Sequence, residues 1–124
     1  MSQDIISDTL NQMMNALKAD KSTLTVKKHS KLLLSILALA KLKGYVKNYK
    51  VTGTTLLIEL DKLNGCGSIK PRFFVKADGM DPYVRRYLPA KNLGMLIIST
   101  SKGIMAHQTS QEKNLGGGLL AYFY

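Results

Sequence analysis

Leu93-Gly94-Met95-Leu96-Ile97-Ile98-Ser99-Thr100-Ser101-Lys102-Gly103-Ile104-Met105-Ala106 is the stretch that decides the fold. The apolar run from Leu93 to Thr100 is short and partly β-branched, which reads as a buried strand. Three hydroxyls, a cation and a glycine interrupt it, and Gly103 forces a turn. Ile104 to Ala106 is then a short return strand.

Outward from this unit the second half stays mostly β. Ile69 to Lys76 reads as a strand interrupted by Pro71, and Asp81-Pro82 opens a short helix reaching Tyr87. Thr109 to Lys113 holds at best a turn or two of helix. Leu119 to Tyr124 is a final strand behind Gly116-Gly117-Gly118.

The first half has a different rhythm. Ile6, Leu10, Met13, Met14 and Leu17 recur at helical spacing behind a cap at Asp4, predicting an amphipathic helix over 4–18. Thr23 to Lys27 alternates as a short strand. Ser30 caps a second helix running to Lys43, with Gly44 as its stop. Leu32, Leu33, Leu34, Ile36 and Leu37 wrap most of that helix, as in a buried core element. Tyr45–Lys50 and Thr54–Leu60 are two strands joined through Thr52-Gly53. The order α-β-α-β-β, followed by a mostly-β second half, is an α+β chain of two small domains. Asn64-Gly65-Cys66-Gly67 is the densest turn signal before the second half, so the expected domains are 1–64 and 65–124.

Composition limits the function. Eighteen Lys and Arg against eight Asp and Glu leave a net charge of +10, which calls for a polyanionic partner. Residues 1–64 carry ten of the cations and five acids, and 65–124 carry eight and three, so no basic tail accounts for the charge. The single cysteine, Cys66, excludes an internal disulfide and fits a reducing compartment. The most apolar run, Leu32 to Ala40, is far short of the roughly 20 residues that span a bilayer.

Ser99, Thr100, Ser101, Lys102 and Gly103 are the sharpest candidate site. Hydroxyls bond to phosphate oxygens, 2′-hydroxyls or base edges, Lys102 adds charge, and Gly103 lets backbone approach backbone. A solvated turn whose Ser and Thr bond their own backbone is the plainer reading. Ser99-x-x-Lys102 also has the spacing of the serine nucleophile and lysine in penicillin-recognising enzymes, but the chain lacks their other motifs and is too short. Gly116-Gly117-Gly118 either admits a close backbone or forms a flexible turn.

Lys70-Pro71-Arg72-Phe73-Phe74-Val75-Lys76 interleaves cations with aromatics, which suits phosphate contact and base stacking; the alternative is an edge strand with Phe73 or Phe74 in the core. Arg85-Arg86-Tyr87 repeats the pairing, and Lys27-Lys28-His29-Ser30-Lys31 is a basic cluster at a helix start. His29 and His107 have no partners at metal-ligand spacing, and no carboxylate pair or phosphate loop occurs. These residues give no ground for an enzyme, a cofactor or a small-molecule substrate.

Ser99-Thr100-Ser101-Lys102-Gly103-Ile104-Met105, with Gly116-Gly117 and an aromatic terminus behind it, resembles the universal small-subunit ribosomal protein S-eight family. Leu63-Asn64-Gly65-Cys66-Gly67-Ser68-Ile69-Lys70-Pro71-Arg72-Phe73 and Arg86-Tyr87-Leu88-Pro89-Ala90 resemble its archaeal and eukaryotic branch, and weaker matches extend the likeness over the whole chain. The resemblance implies a two-domain protein of the small ribosomal subunit in the cytoplasm, with no membrane partner. It would bind the central domain of small-subunit ribosomal RNA, support assembly and touch neighbouring ribosomal proteins. Ser99, Thr100 and Ser101 would enter an RNA minor groove, Gly116 and Gly117 would pack the last strand near them, and Ser30, Lys31, Lys70 and Arg72 would lie at the RNA. Relatives usually carry Glu, Arg or Lys where Gly118 stands, implying one contact fewer. A free-standing regulatory RNA-binding module would show the same charge and loops.

Overall fold

Alternation and helical periodicity sort this chain into two sets of elements. The computed structural model describes residues 5–69, 74–89 and 93–124, and the chain divides into two compact units, 1–67 and 68–124. Lys70 and Arg72 of the expected site, and Asp4 of the expected cap, lie outside the described residues.

In the first unit, helix α1 (Ile5–Lys18) buries Ile6, Thr9, Leu10, Met13 and Ala16 along one stripe, and packs against strand β1 (Thr23–Val26). Helix α2 (Lys31–Leu42) begins where Ser30, in extended backbone, accepts a hydrogen bond from the Leu33 N–H at 3.2 Å. Losing such a cap costs about 1 kcal/mol. Leu33, Ile36, Leu37 and Ala40 are fully buried, whereas Leu32 and Leu34 are half-covered and Leu42 is exposed. The helix is therefore buried along one face and not all round, because a layer of β-sheet covers one side of a helix only.

Strands β2 (Val46–Thr52) and β3 (Thr55–Leu60) form a hairpin, and the antiparallel sheet runs β1-β3-β2. Leu56, Ile58 and Leu60 alternate onto the buried face, opposite Val26, Leu24 and Val46 respectively. Thr52 pairs with Thr55, which makes Gly53-Thr54 a two-residue turn. Cys66 is not in a turn: it opens strand β4 (Cys66–Ser68) as a buried residue. Its N–H approaches the Met14 sulfur at 3.2 Å, and its thiol points to the Leu10 carbonyl at 3.6 Å.

The second unit is mostly β, with strand order β4-β8-β6-β7 and β5 also on β8. Strand β5 is Phe74–Val75, followed by a 3₁₀ turn (Ala77–Gly79) and helix α3 (Asp81–Tyr87). The opening stretch becomes β6 (Met95–Thr100) and β7 (Gly103–Ala106), paired antiparallel from Ile97↔Ala106 to Thr100↔Gly103. Helix α4 (His107–Glu112) starts two residues earlier than the polar run suggested, and β8 is Gly117–Phe123. Met95, Leu96, Ile97 and Ile98 are all buried, so β6 lacks alternation because both its faces are covered. Leu96, Ile98, Leu119, Val75, Val84 and Leu88 share one core cluster, with Tyr87 and Tyr122 at its margin. Fully burying one such aliphatic chain contributes about 1.5–3 kcal/mol.

Candidate nucleic-acid interface

The β6–β7 hairpin holds the expected hydroxyls at its tip, and the structure divides them into two kinds. Thr100 closes the turn: its hydroxyl donates to the Gly103 carbonyl at 2.7 Å and accepts from the Lys102 N–H at 3.1 Å. Gly103 lies at φ +113, a backbone conformation that side chains resist. The plainer reading of the loop therefore holds for Thr100. Ser99 and Ser101 are exposed and make no side-chain hydrogen bond to another described residue. Lys102 is exposed beside them.

Two of the glycines behind the loop, Gly117 and Gly118, are strand and not flexible turn, and Gly116 directly precedes that strand. Gly117 pairs with Val75 and Gly118 with both Phe74 and Ser99. A Cβ on Gly117 would collide with the backbone carbonyl of Ser99, and one on Gly116 would meet the Val75 carbonyl. Glycine is what lets β8 pass this close, and the close passage fixes the end of β6 from which the hydroxyls project. Gly116, Gly117 and Ser99 to Gly103 are thus brought together in one unit. Ser30 and Lys31 belong to the other unit, where the Ser30 oxygen already caps α2 and Lys31 is exposed in its first turn.

Three features are not evident from the residue pattern. His107 is a buried acceptor, with the Leu96 N–H donating to its Nδ1 at 3.0 Å. Burial holds its pKa below the usual imidazole range, against the opposing pull of the Asp81 charge. Gln108 donates to the Gly94 carbonyl at 3.1 Å, and buried Ser110 donates to the His107 carbonyl at 2.9 Å, so these two polar side chains serve the interior while Gln111 is exposed. Phe74, one of two residues weighed for the core, is exposed while Val75 is buried. Phe73, the other, lies outside the described residues; a signal for which way β5 faces would have shown Phe74 outward, and two residues are too short a strand to carry one.

Arg86 lies over the Tyr87 ring at 5.4 Å, and Tyr87 stacks on Tyr122 at the same centroid distance. Burial pushes the Cys66 thiol up to about 12, which makes it a poor nucleophile. Among the described residues no group of three or more His, Cys, Asp or Glu is placed to hold a metal. No helix among them is long and apolar enough to cross a membrane.

Fold and site together define a small basic α+β protein that presents hydroxyls and a cation on a braced hairpin. The family model for Ribosomal protein S8 matches residues 4–124, and the chain belongs to that family. Among its relatives are the small ribosomal subunit protein uS8 of Nanoarchaeum equitans, 36% identical with both chains fully covered, and that of Picrophilus torridus, 37% identical with the same coverage. The protein of the same name from Methanoregula boonei is 38% identical over 96% of this chain and 95% of its own. The likeness read from the hairpin, the paired glycines and the 63–73 stretch is borne out, and the family is one of ribosomal structural proteins, not of enzymes.

Proposed function

We propose that this chain is a structural constituent of the small ribosomal subunit that binds the central domain of small-subunit ribosomal RNA and supports subunit assembly. The second unit makes the specifying contact, through the tip of its β6–β7 hairpin. The carrying observation is the pair Ser99 and Ser101, two exposed hydroxyls without partners among the described residues, on a turn braced by Thr100 and Gly117. RNA helices display 2′-hydroxyls and base edges in a shallow minor groove, and a compact hydroxyl-bearing tip fits there. Lys102, Lys31, Lys70 and Arg72 contact phosphate, which positions the protein without reading sequence.

Its partners are that RNA and neighbouring ribosomal proteins in the cytoplasmic small subunit, with no small-molecule substrate, cofactor or membrane. The test is binding to small-subunit ribosomal RNA fragments against non-specific duplex RNA over a salt series. Selectivity should survive moderate salt, and Ser101→Ala should weaken selective binding by about 5- to 10-fold, as for loss of one hydrogen bond of about 1–1.5 kcal/mol. Equal binding to all RNAs, vanishing at moderate salt, overturns the reading.

A further inference from the structure

Strand β1 is one edge of the first unit's sheet, and a single bond fixes which of its backbone groups point outward. The Leu60 N–H donates to the Ser22 carbonyl at 2.7 Å, and Leu24 and Val26 stand opposite Ile58 and Leu56. Antiparallel strands bond through every second pair, so Ser22, Leu24 and Val26 turn their N–H and C=O groups toward β3. Thr23 and Thr25 turn theirs the other way, where no other described residue bonds to them. A row of unpaired donors and acceptors is a template for another strand. The opposite edge is guarded, because β2 has exposed Lys47 and Lys50 and a register shift between Val46 and Asn48. Strand β1, Thr-Leu-Thr-Val, carries no charge and pairs in unbroken register.

Beside this edge there is room for a strand. Two hollows of about 380 and 480 Å³ lie between β1 and α1, and Gln12 and Thr25 line both. Lys27 and Lys28 stand at one end and Lys21 at the other, against Asp8, the one carboxylate among the described lining residues. These cations are exposed. We infer that the β1 edge takes an extended segment of another polypeptide, with acidic residues at its ends, paired to the backbone of Thr23 and Thr25. A strand presents N–H and C=O groups at the repeat of about 7 Å that the two threonines also present. A row of phosphates accepts without donating, so it would leave the outward carbonyls unpaired. The inference goes beyond the RNA reading, whose specifying contact lies in the second unit.

The experiment titrates the full chain with two synthetic peptides, Glu-Thr-Val-Thr-Val-Glu and Lys-Thr-Val-Thr-Val-Lys, and follows backbone amide exchange by NMR. At saturation the Glu peptide should slow exchange at Thr23 and Thr25 by about 10-fold or more, while Leu24 and Val26, already bonded to β3, change little. It should bind about 5-fold more tightly than the Lys peptide at low salt, and Lys27→Glu should narrow that preference. Thr25→Pro removes an outward N–H and no bond to β3, so it should weaken the Glu peptide by about 3- to 10-fold with thermal melting near native. Unchanged exchange at Thr23 and Thr25 overturns the inference, as does native-like binding by Thr25→Pro or a preference for the Lys peptide. Slowing of these amides by a small-subunit ribosomal RNA fragment alone makes the occupant RNA, and slowing that grows with protein concentration alone makes it a second copy; either result overturns the inference. None of these outcomes bears on selectivity at the β6–β7 hairpin, so the two readings fail separately.

Discussion

The two units carry hairpins of the same construction and opposite character. In the first, β2 and β3 meet at Gly53-Thr54, with Thr52 opposite Thr55; in the second, β6 and β7 meet at Ser101-Lys102, with Thr100 opposite Gly103. Strand β2 is a sheet edge with only Val46 buried, and Lys47 and Lys50 reach solvent. Strand β6 lies between β7 and β8 with four consecutive buried residues. The Gly53 carbonyl accepts from His29 Nε2 at 3.0 Å, an exposed contact, whereas the second tip is closed by the Thr100 hydroxyl and backed by Gly117. A cation works through a diffuse field and tolerates a loose support, but a hydroxyl is directional and needs a fixed one. The strand buried on both faces is thus the one whose end can hold hydroxyls in a fixed direction.

The comparison breaks if the two hairpins respond alike to truncation. Ile98→Ala should destabilise the protein by about 2–5 kcal/mol in urea unfolding, since it leaves a cavity in a close-packed core, while Val51→Ala, at a 41% exposed position, should change it by less than about 0.5 kcal/mol. A smaller contrast separates the glycines. Gly117→Ala must displace the Ser99 carbonyl and should cost about 1–3 kcal/mol or more, with loss of RNA selectivity. Gly53→Ala meets open space at φ +61 and should cost about 1 kcal/mol with RNA binding unchanged. Thr100→Ala removes both turn bonds and should cost about 1 kcal/mol, seen as faster amide exchange at Lys102.

The smallest effect sharpens the comparison through pH. The folded-state pKa of His107 is held below its unfolded value of about 6.5, so its contribution is complete above that pH and is lost as pH falls below it. Cys66 behaves oppositely: its thiol is raised from 9.0 to about 12, so its contribution is complete below pH 9 and is lost as pH rises toward 12. Amide signals followed by NMR through an acid and an alkaline titration should show the second unit loosening first on the acid side and the first unit on the alkaline side. His107→Gln should flatten the acid limb.

Much of this architecture was legible because its signals are local. The Ser30 cap, the stripe of Ile6, Leu10 and Met13, the alternation of Leu56, Ile58 and Leu60, and the unbroken run into Ser99 each declare an element within a few residues. The net charge and the hairpin motif, read from the same local text, led to the family. The candidate site was legible as a list, with Ser99 to Gly103 and the paired glycines named together.

What the chain order could not decide is how the members of that list relate. That Thr100 serves the turn while Ser99 and Ser101 remain open depends on which residue closes the hairpin. That Gly117 lies behind the Ser99 carbonyl depends on β8 pairing with β6 across the intervening β7 and α4. That Phe74 faces solvent in a row with Gly118 and Ser99 depends on β5 pairing with the other edge of β8. Strand pattern says that a residue has a face, since side chains alternate with period 2, but register between distant strands says which neighbours share it. Elements, charge and family follow from residues close together in the chain, whereas pairing between distant strands fixes which backbones touch and which hydroxyl closes the hairpin.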